Sequence, residues 1–100
     1  MQLASQLHIA GVGMLRITVV ESSDEEVRLR VEGRVTGRWV EELRRTCELQ
    51  ALGDGIRLTL GLADVSFADA EGIELFRELK NRDVILLDPS FLVAEQLKSV

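Results

Sequence analysis

Two runs of strict alternation, separated by a short polar link, constrain this chain more than any other feature. In "LRITVVE" Leu15, Ile17 and Val19 alternate with Arg16, Thr18 and Val20. In "VRLRVEGRV" Val27, Leu29 and Val31 alternate with Arg28, Arg30 and Glu32. A period of two puts the apolar set on one face of a strand and the polar set on the other. The link Ser22-Ser23-Asp24-Glu25 is too short for a crossover, so the two strands are expected to pair as an antiparallel hairpin. The rest of the chain must then cover one face of that hairpin.

The pattern changes next. In "GRWVEELRRTCELQAL" Val40, Leu43, Cys47 and Ala51 share one helical stripe, Glu41 and Glu42 lie where the helix dipole favours acids, and Gly53-Asp54-Gly55 stops the helix. "IRLTLGL" reads as a third strand, with Ile56, Leu58 and Leu60 inward and Arg57 and Thr59 outward. Asp69 suits the N-cap of a second helix whose Ile73, Phe76 and Leu79 form an apolar stripe. "VILLD" is apolar on both faces and reads as a central strand. Asp88 and Pro89 read as the cap and first residue of a last helix, with Val93, Leu97 and Val100 on its buried face.

The expected order is β-β-α-β-α-β-α over residues 15–100, an α/β domain. Strands joined through a helix run parallel, so the sheet is mixed. Arg16, Thr18, Arg28, Arg30, Glu32, Arg57 and Thr59 share a polar side, which places the helices mainly on the other face. Val31, Leu43, Leu58, Ile73, Phe76 and Leu86 are expected to be buried together. Residues 1–14 show no clear period and form an N-terminal extension without an assigned role.

Composition narrows the function. One hundred residues with 46% hydrophobic content suit one domain with a modest core. Cys47 is the only cysteine, which excludes a disulfide framework or a multi-cysteine zinc site, and its place on the apolar stripe reads as a core thiol. No apolar run approaches the roughly 20 residues that span a bilayer, so membrane insertion is not expected. The first basic residue is Arg16, so the start lacks the charged segment of a secretory signal, and a cytoplasmic setting is the expectation. Net charge is −5, and residues 61–100 carry 4 basic and 8 acidic side chains. Phosphate backbones call for the opposite balance, and the arginine-bearing strands offer no aromatic to stack a base. A protein partner is the better expectation.

The segments "VRLRVEGRVTGRWVEELRR" and "IRLTLGLADVSFADAEGIELF" carry a resemblance to a known family. They resemble the second strand, Gly-x-aliphatic turn and first helix of the STAS domain, and then its third strand, Asp-x-x-Gly loop and following helix. This is the domain of anti-sigma-factor antagonists and sulfate-transporter tails, and the similarity runs from about Leu15 to Leu97. It implies a STAS-like fold and a protein partner, often a kinase-type anti-sigma factor. Many members carry a phosphorylated hydroxyl residue just before the loop glycine. Here Ala70 and Glu71 precede Gly72, Thr36 stands where an acid often follows the turn, and Gly61 where one often ends the third strand.

The candidate contact surface is therefore the loop and helix start at Ser66–Leu75, joined by the Thr36–Trp39 turn. Its partner-binding residues are Thr36, Arg38, Trp39, Ser66, Asp69, Ala70, Glu71, Gly72, Glu74 and Leu75. Asp69 also has a purely structural use as a helix cap, and Glu71 either is a solvated first-turn acid or imitates in part a phosphorylated loop. Trp39 reads as core or as an exposed anchor. Asp69 and Glu71 point in different directions at a helix start, and no histidine, lysine or cysteine nearby completes a catalytic set. Neither enzymatic activity, nor a metal, nor a cofactor is expected. The function expected is a bacterial regulatory module that binds an anti-sigma factor or switch kinase. Alternatives are an accessory subunit docked on a transporter ATPase, or a structural module of a larger regulatory assembly. Self-association to a homo-oligomer is a further partner class.

Overall fold

The alternating pair forms its antiparallel hairpin in the computed structural model, which describes residues 8–10, 15–50 and 55–98. The elements are β1 (His8–Ala10), β2 (Leu15–Ser22), β3 (Glu26–Val35), α1 (Arg38–Gln50), β4 (Arg57–Ala68), α2 (Ala70–Asn81), β5 (Ile85–Leu87) and α3 (Phe91–Lys98). Ser23 closes the hairpin, its Oγ accepting from the amides of Glu25 at 3.2 Å and Glu26 at 3.1 Å. Such serine-to-backbone bonds stabilise a turn without help from the core.

The sheet is mixed, with strand order β1-β2-β3-β4-β5. The β1–β2 and β2–β3 pairs are antiparallel, and the β3–β4 and β4–β5 pairs are parallel. From β2 onward the order is β-β-α-β-α-β-α, as the periodicity predicts. To this β1 adds a three-residue strand, drawn from the stretch to which the sequence assigned no role.

The core lies between the sheet and the helices. Ile17, Leu29, Val31, Leu58 and Leu60 meet Leu43 and Cys47 of α1 and Ile73, Phe76 and Leu79 of α2, all buried in one cluster. Leu86 packs against it partly buried, as do Trp39, Ile56 and Leu97. Each fully buried aliphatic or phenyl side chain contributes roughly 1.5–3 kcal/mol, so this cluster is the dominant stabilising term. Across the helix layer Arg44 of α1 grips Glu78 of α2 through bonds of 2.9 and 2.7 Å. That pair is half-exposed, so it aligns the helices while contributing about 1 kcal/mol or less.

Four expectations need correction. First, β5 is an edge strand, not a central one, and Ile85 and Leu87 are 43% and 37% exposed. A short run apolar on both faces marks burial on both sides only when a further strand lies beyond it, and no described strand does. Second, Thr59 is buried at 6% exposure despite its outward register. Its ladder neighbours Arg28 and Ile85 flank it on that face. Third, β4 runs on for 12 residues, past Leu62 to Ala68. Its register against β3 shifts twice, between Arg30 and Glu32 and between Gly33 and Arg34, which hides the continuation from a period-two reading. Fourth, α3 starts at Phe91 rather than Pro89. Asp88 takes a left-handed φ of 51° and cannot cap, while Ser90 does, its Oγ accepting from Val93 N at 3.4 Å and its carbonyl from Ala94 N at 2.8 Å. Ala51, Gly53, Asp54 and Val100 lie outside the described residues.

Candidate functional site

Because β3 and β4 are parallel, their C-terminal ends deliver two helix starts to the same end of the sheet. β3 leads through Thr36 and Gly37 into α1, and β4 leads through Asp69 into α2. Gly37 adopts φ 55°, a left-handed conformation that favours glycine. Asp69 joins the two turns. Its Oδ1 accepts from Gly72 N at 2.8 Å, as an N-cap should, and its Oδ2 accepts from Gly37 N at 3.0 Å. Its own amide donates to the carbonyl of Val35 at 3.2 Å. The Gly37 amide first, and the Gly72 amide next, hold the Asp69 carboxyl below its ordinary pKa, because each bond favours the ionised form.

This clasp decides what each expected site residue can do. Gly72 is buried, and a Cβ placed on it would stand 2.5 Å from the Val35 carbonyl oxygen. Leu75 is fully buried in the core. Both belong to the packing of α2 on the sheet and present no side chain outward. Arg38, Ser66, Ala70, Glu71 and Glu74 are exposed, whereas Thr36, Trp39 and Asp69 are half-buried. The Arg38 guanidinium lies 5.3 Å from the Trp39 ring centroid, and Trp39 packs partly buried against the core. Ser66 Oγ donates to the Gly33 carbonyl at 3.2 Å, and Glu74 pairs with Arg77 at 3.5 Å. Glu71 stands in the first turn of α2 with no ion-pair partner among the described residues.

Two further residues belong to this surface. Phe67 is 37% exposed near the end of β4, and the Arg34 guanidinium sits 5.3 Å from its ring centroid. The two are register partners across the β3–β4 ladder. The outer face of the sheet therefore carries an aromatic after all, though one covered by its own arginine. Sequence reasoning ended the strand at Leu62 and so never placed Phe67. The signal that could have found it is a large aromatic one residue before the Ala68-Asp69 turn, flanked by small or polar neighbours.

Arginines of the outer face are mostly paired with acids, Arg16 with Glu32 at 3.7 Å, Arg28 with Glu21 at 3.9 Å and Arg57 with Glu26 at 4.0 Å. Among the described residues no group of three or more His, Cys, Asp or Glu side chains could hold a metal ion, and no helix is long and apolar enough to cross a membrane. No protein-family model and no curated protein matches the chain.

Proposed function

We propose that the chain is a non-catalytic, STAS-type protein-binding module that acts as an anti-sigma-factor antagonist in the bacterial cytoplasm. Its partner is an anti-sigma factor or switch kinase. One observation carries the reading: Glu71 is exposed at the start of α2 with no ion-pair partner among the described residues, beside turns that the Asp69 clasp holds in one geometry. A partner that docks there meets Arg38, Ser66, Phe67, Ala70, Glu71 and Glu74 around a fixed negative charge. A carboxylate carries one charge where a phosphate carries about −1.5 to −2, so Glu71 imitates a phosphorylated loop in part. The non-catalytic character is supported by Asp69, whose two oxygens each already hold a backbone amide.

Affinity purification of the intact chain from bacterial cells, beside Glu71→Ser, tests the reading. The intact chain should recover an anti-sigma factor or switch kinase, and Glu71→Ser should alter that affinity or become a phosphate acceptor for the kinase. Recovery of a transporter ATPase alone, or a Glu71→Ser variant with unchanged affinity and no phosphorylation, would overturn it.

A further inference from the structure

Arg16, Arg28, Arg44, Arg57, Arg77 and Lys98 each pair with an acid, whereas the two arginines that flank the turn from β3 into α1 face aromatic rings instead. Arg34 lies 5.3 Å from the Phe67 centroid and Arg38 5.3 Å from that of Trp39, inside the range of about 6 Å over which a ring holds a cation. Both arginines are exposed, and neither has an ion-pair partner among the described residues. A ring takes up the flat face of a guanidinium and leaves the N–H donors along its edge free for a carboxylate. Arg38 also breaks a local rule. It is the first residue of α1, at the positive end of the helix dipole, where an acid is stabilising and a cation is not. Glu41, the acid of that first turn, is committed to Arg44 at 3.3 Å. A charge kept against its local field, and used by nothing inside the fold, marks a position held for function. Arg30, Arg45, Lys80 and Arg82 lack acids as well among the described residues, but no ring orients them, and Lys80 and Arg82 stand at the end of α2, where a cation suits the dipole.

The two arginines act at one place. They stand four residues apart, so chain length alone keeps their Cα atoms within roughly 14 Å. Across the Asp69 clasp, Glu71 and Glu74 are exposed on α2. This end of the sheet therefore carries two signs, arginines on the β3–α1 side and acids on the α2 side. A polyphosphate or an anionic bilayer carries one sign only, and Glu71, Glu74 and the net charge of −5 repel it where the arginines attract it. A folded protein can match both signs at once. We propose that Arg34 and Arg38 form a carboxylate-recognition pair, which receives an acidic segment of a partner protein while Glu71 faces that partner's basic side chains. The pair rests on the reading of this end of the sheet as the contact surface, and adds the chemistry of what meets it. Each guanidinium takes one carboxylate in a forked contact, so the segment carries two acids close together. Opposed signs on the two sides of the clasp fix the direction in which the segment lies.

A test that needs no cellular partner uses nuclear magnetic resonance of the full chain, titrated with a blocked peptide of alternating glutamate and leucine. The side-chain Nε–H signals of Arg34 and Arg38 should shift with this peptide, should not shift with its glutamine counterpart, and should shift less as salt rises. Arg34→Gln/Arg38→Gln should weaken peptide binding by about tenfold, the loss of two exposed ion pairs. Arg45→Gln/Arg82→Gln makes the same change in net charge elsewhere and should leave binding as it is. Arg38→Glu should bind the peptide more weakly than the parent while its melting temperature stays close to the parent's, because an acid at the start of α1 offsets the lost ring contact. Absent shifts at both arginines, equal weakening by the two double variants, or a destabilised Arg38→Glu that binds the peptide as the parent does would each overturn the proposal. The partner reading fails separately. An anti-sigma factor or switch kinase recovered from cells whose affinity ignores Arg34→Gln/Arg38→Gln ends the carboxylate pair and leaves that reading standing, whereas peptide binding at both arginines with neither partner recovered does the reverse.

Discussion

Gly72 lies so close to Val35 that a Cβ on the glycine would stand 2.5 Å from the Val35 carbonyl oxygen and 3.2 Å from its Cγ1. Helix α2 rests on the end of β3 at this point, and the oxygen that would be struck also accepts the Asp69 amide. Backbone cannot swing aside as a flexible side chain can. Gly72→Ala should therefore destabilise the fold by roughly 1–3 kcal/mol, even though alanine is the better helix former by about 1 kcal/mol. Gly72→Val should cost more. Urea titration with far-UV circular dichroism measures both, and an alanine variant as stable as the parent would remove the close approach as the reason for this glycine.

Asp69 links two helix starts, so its loss should exceed that of an ordinary cap. Asp69→Ala is expected to cost about 1–2 kcal/mol, the upper part of the range for a cap, because Gly37 N loses its acceptor together with Gly72 N. The carboxyl pKa is lowered in the folded state, so the stability it contributes is present in full above the unfolded value of about 3.9. That contribution is lost as pH falls through the lower, folded value. The difference in unfolding free energy between parent and Asp69→Ala should thus be constant from pH 7 to 5 and shrink below pH 4. A difference that grows on acidification would contradict the clasp.

The parts of this structure legible in the sequence are those where one local rule acts alone. Alternation from Leu15 to Val31 gave the hairpin because one face is buried and the other solvated. Asp69 was legible as a cap because the acid is followed directly by an apolar helical stripe. The contact to Gly37 was not, since the Asp69 carboxylate meets the amide of a glycine 32 residues away, and a glycine carries no side-chain signal of that pairing. Bulges erased the period of β4 beyond Leu62, and with it the position of Phe67. The apolar run at Ile85–Leu87 misled because pattern reports composition and not neighbours: the same three residues would suit a central strand or a naked edge. Pro89 drew the helix start two residues early, where Asp88 had already turned left-handed.

Cys47 should be silent in the native protein. It is fully buried between α1 and the sheet, and burial pushes its thiol up to about 12. A thiol-specific disulfide reagent at pH 8 should leave the folded chain unlabelled and label it promptly in denaturant, since only the thiolate reacts. The folded value lies above the unfolded value of about 8.5, so the group's contribution to stability is intact below pH 8.5 and fades as pH rises towards 12. Cys47→Ala should flatten that alkaline loss. Rapid native labelling would show that the helix layer opens far more readily than its packing implies.

Phe67 and Arg34 offer the clearest separation of binding from folding. The ring is 37% exposed at the rim of the sheet, and an exposed arginine-on-aromatic contact is worth about 0.5–1 kcal/mol. Phe67→Ala should therefore lower the melting temperature by about 4–8 °C, what a loss of about 1 kcal/mol produces in a domain of this size. Binding is a different matter. If the exposed ring is buried by a partner as a hot spot, its truncation costs about 2 kcal/mol or more of affinity. Against the partner recovered from cells, Phe67→Ala should weaken binding roughly thirtyfold. Leu49→Ala, at a side chain 77% exposed near the far end of α1, should leave affinity unchanged. Titration calorimetry of the three proteins measures the difference. Equal affinity for all three would place the contact surface elsewhere and leave Phe67 as a ring covered by Arg34.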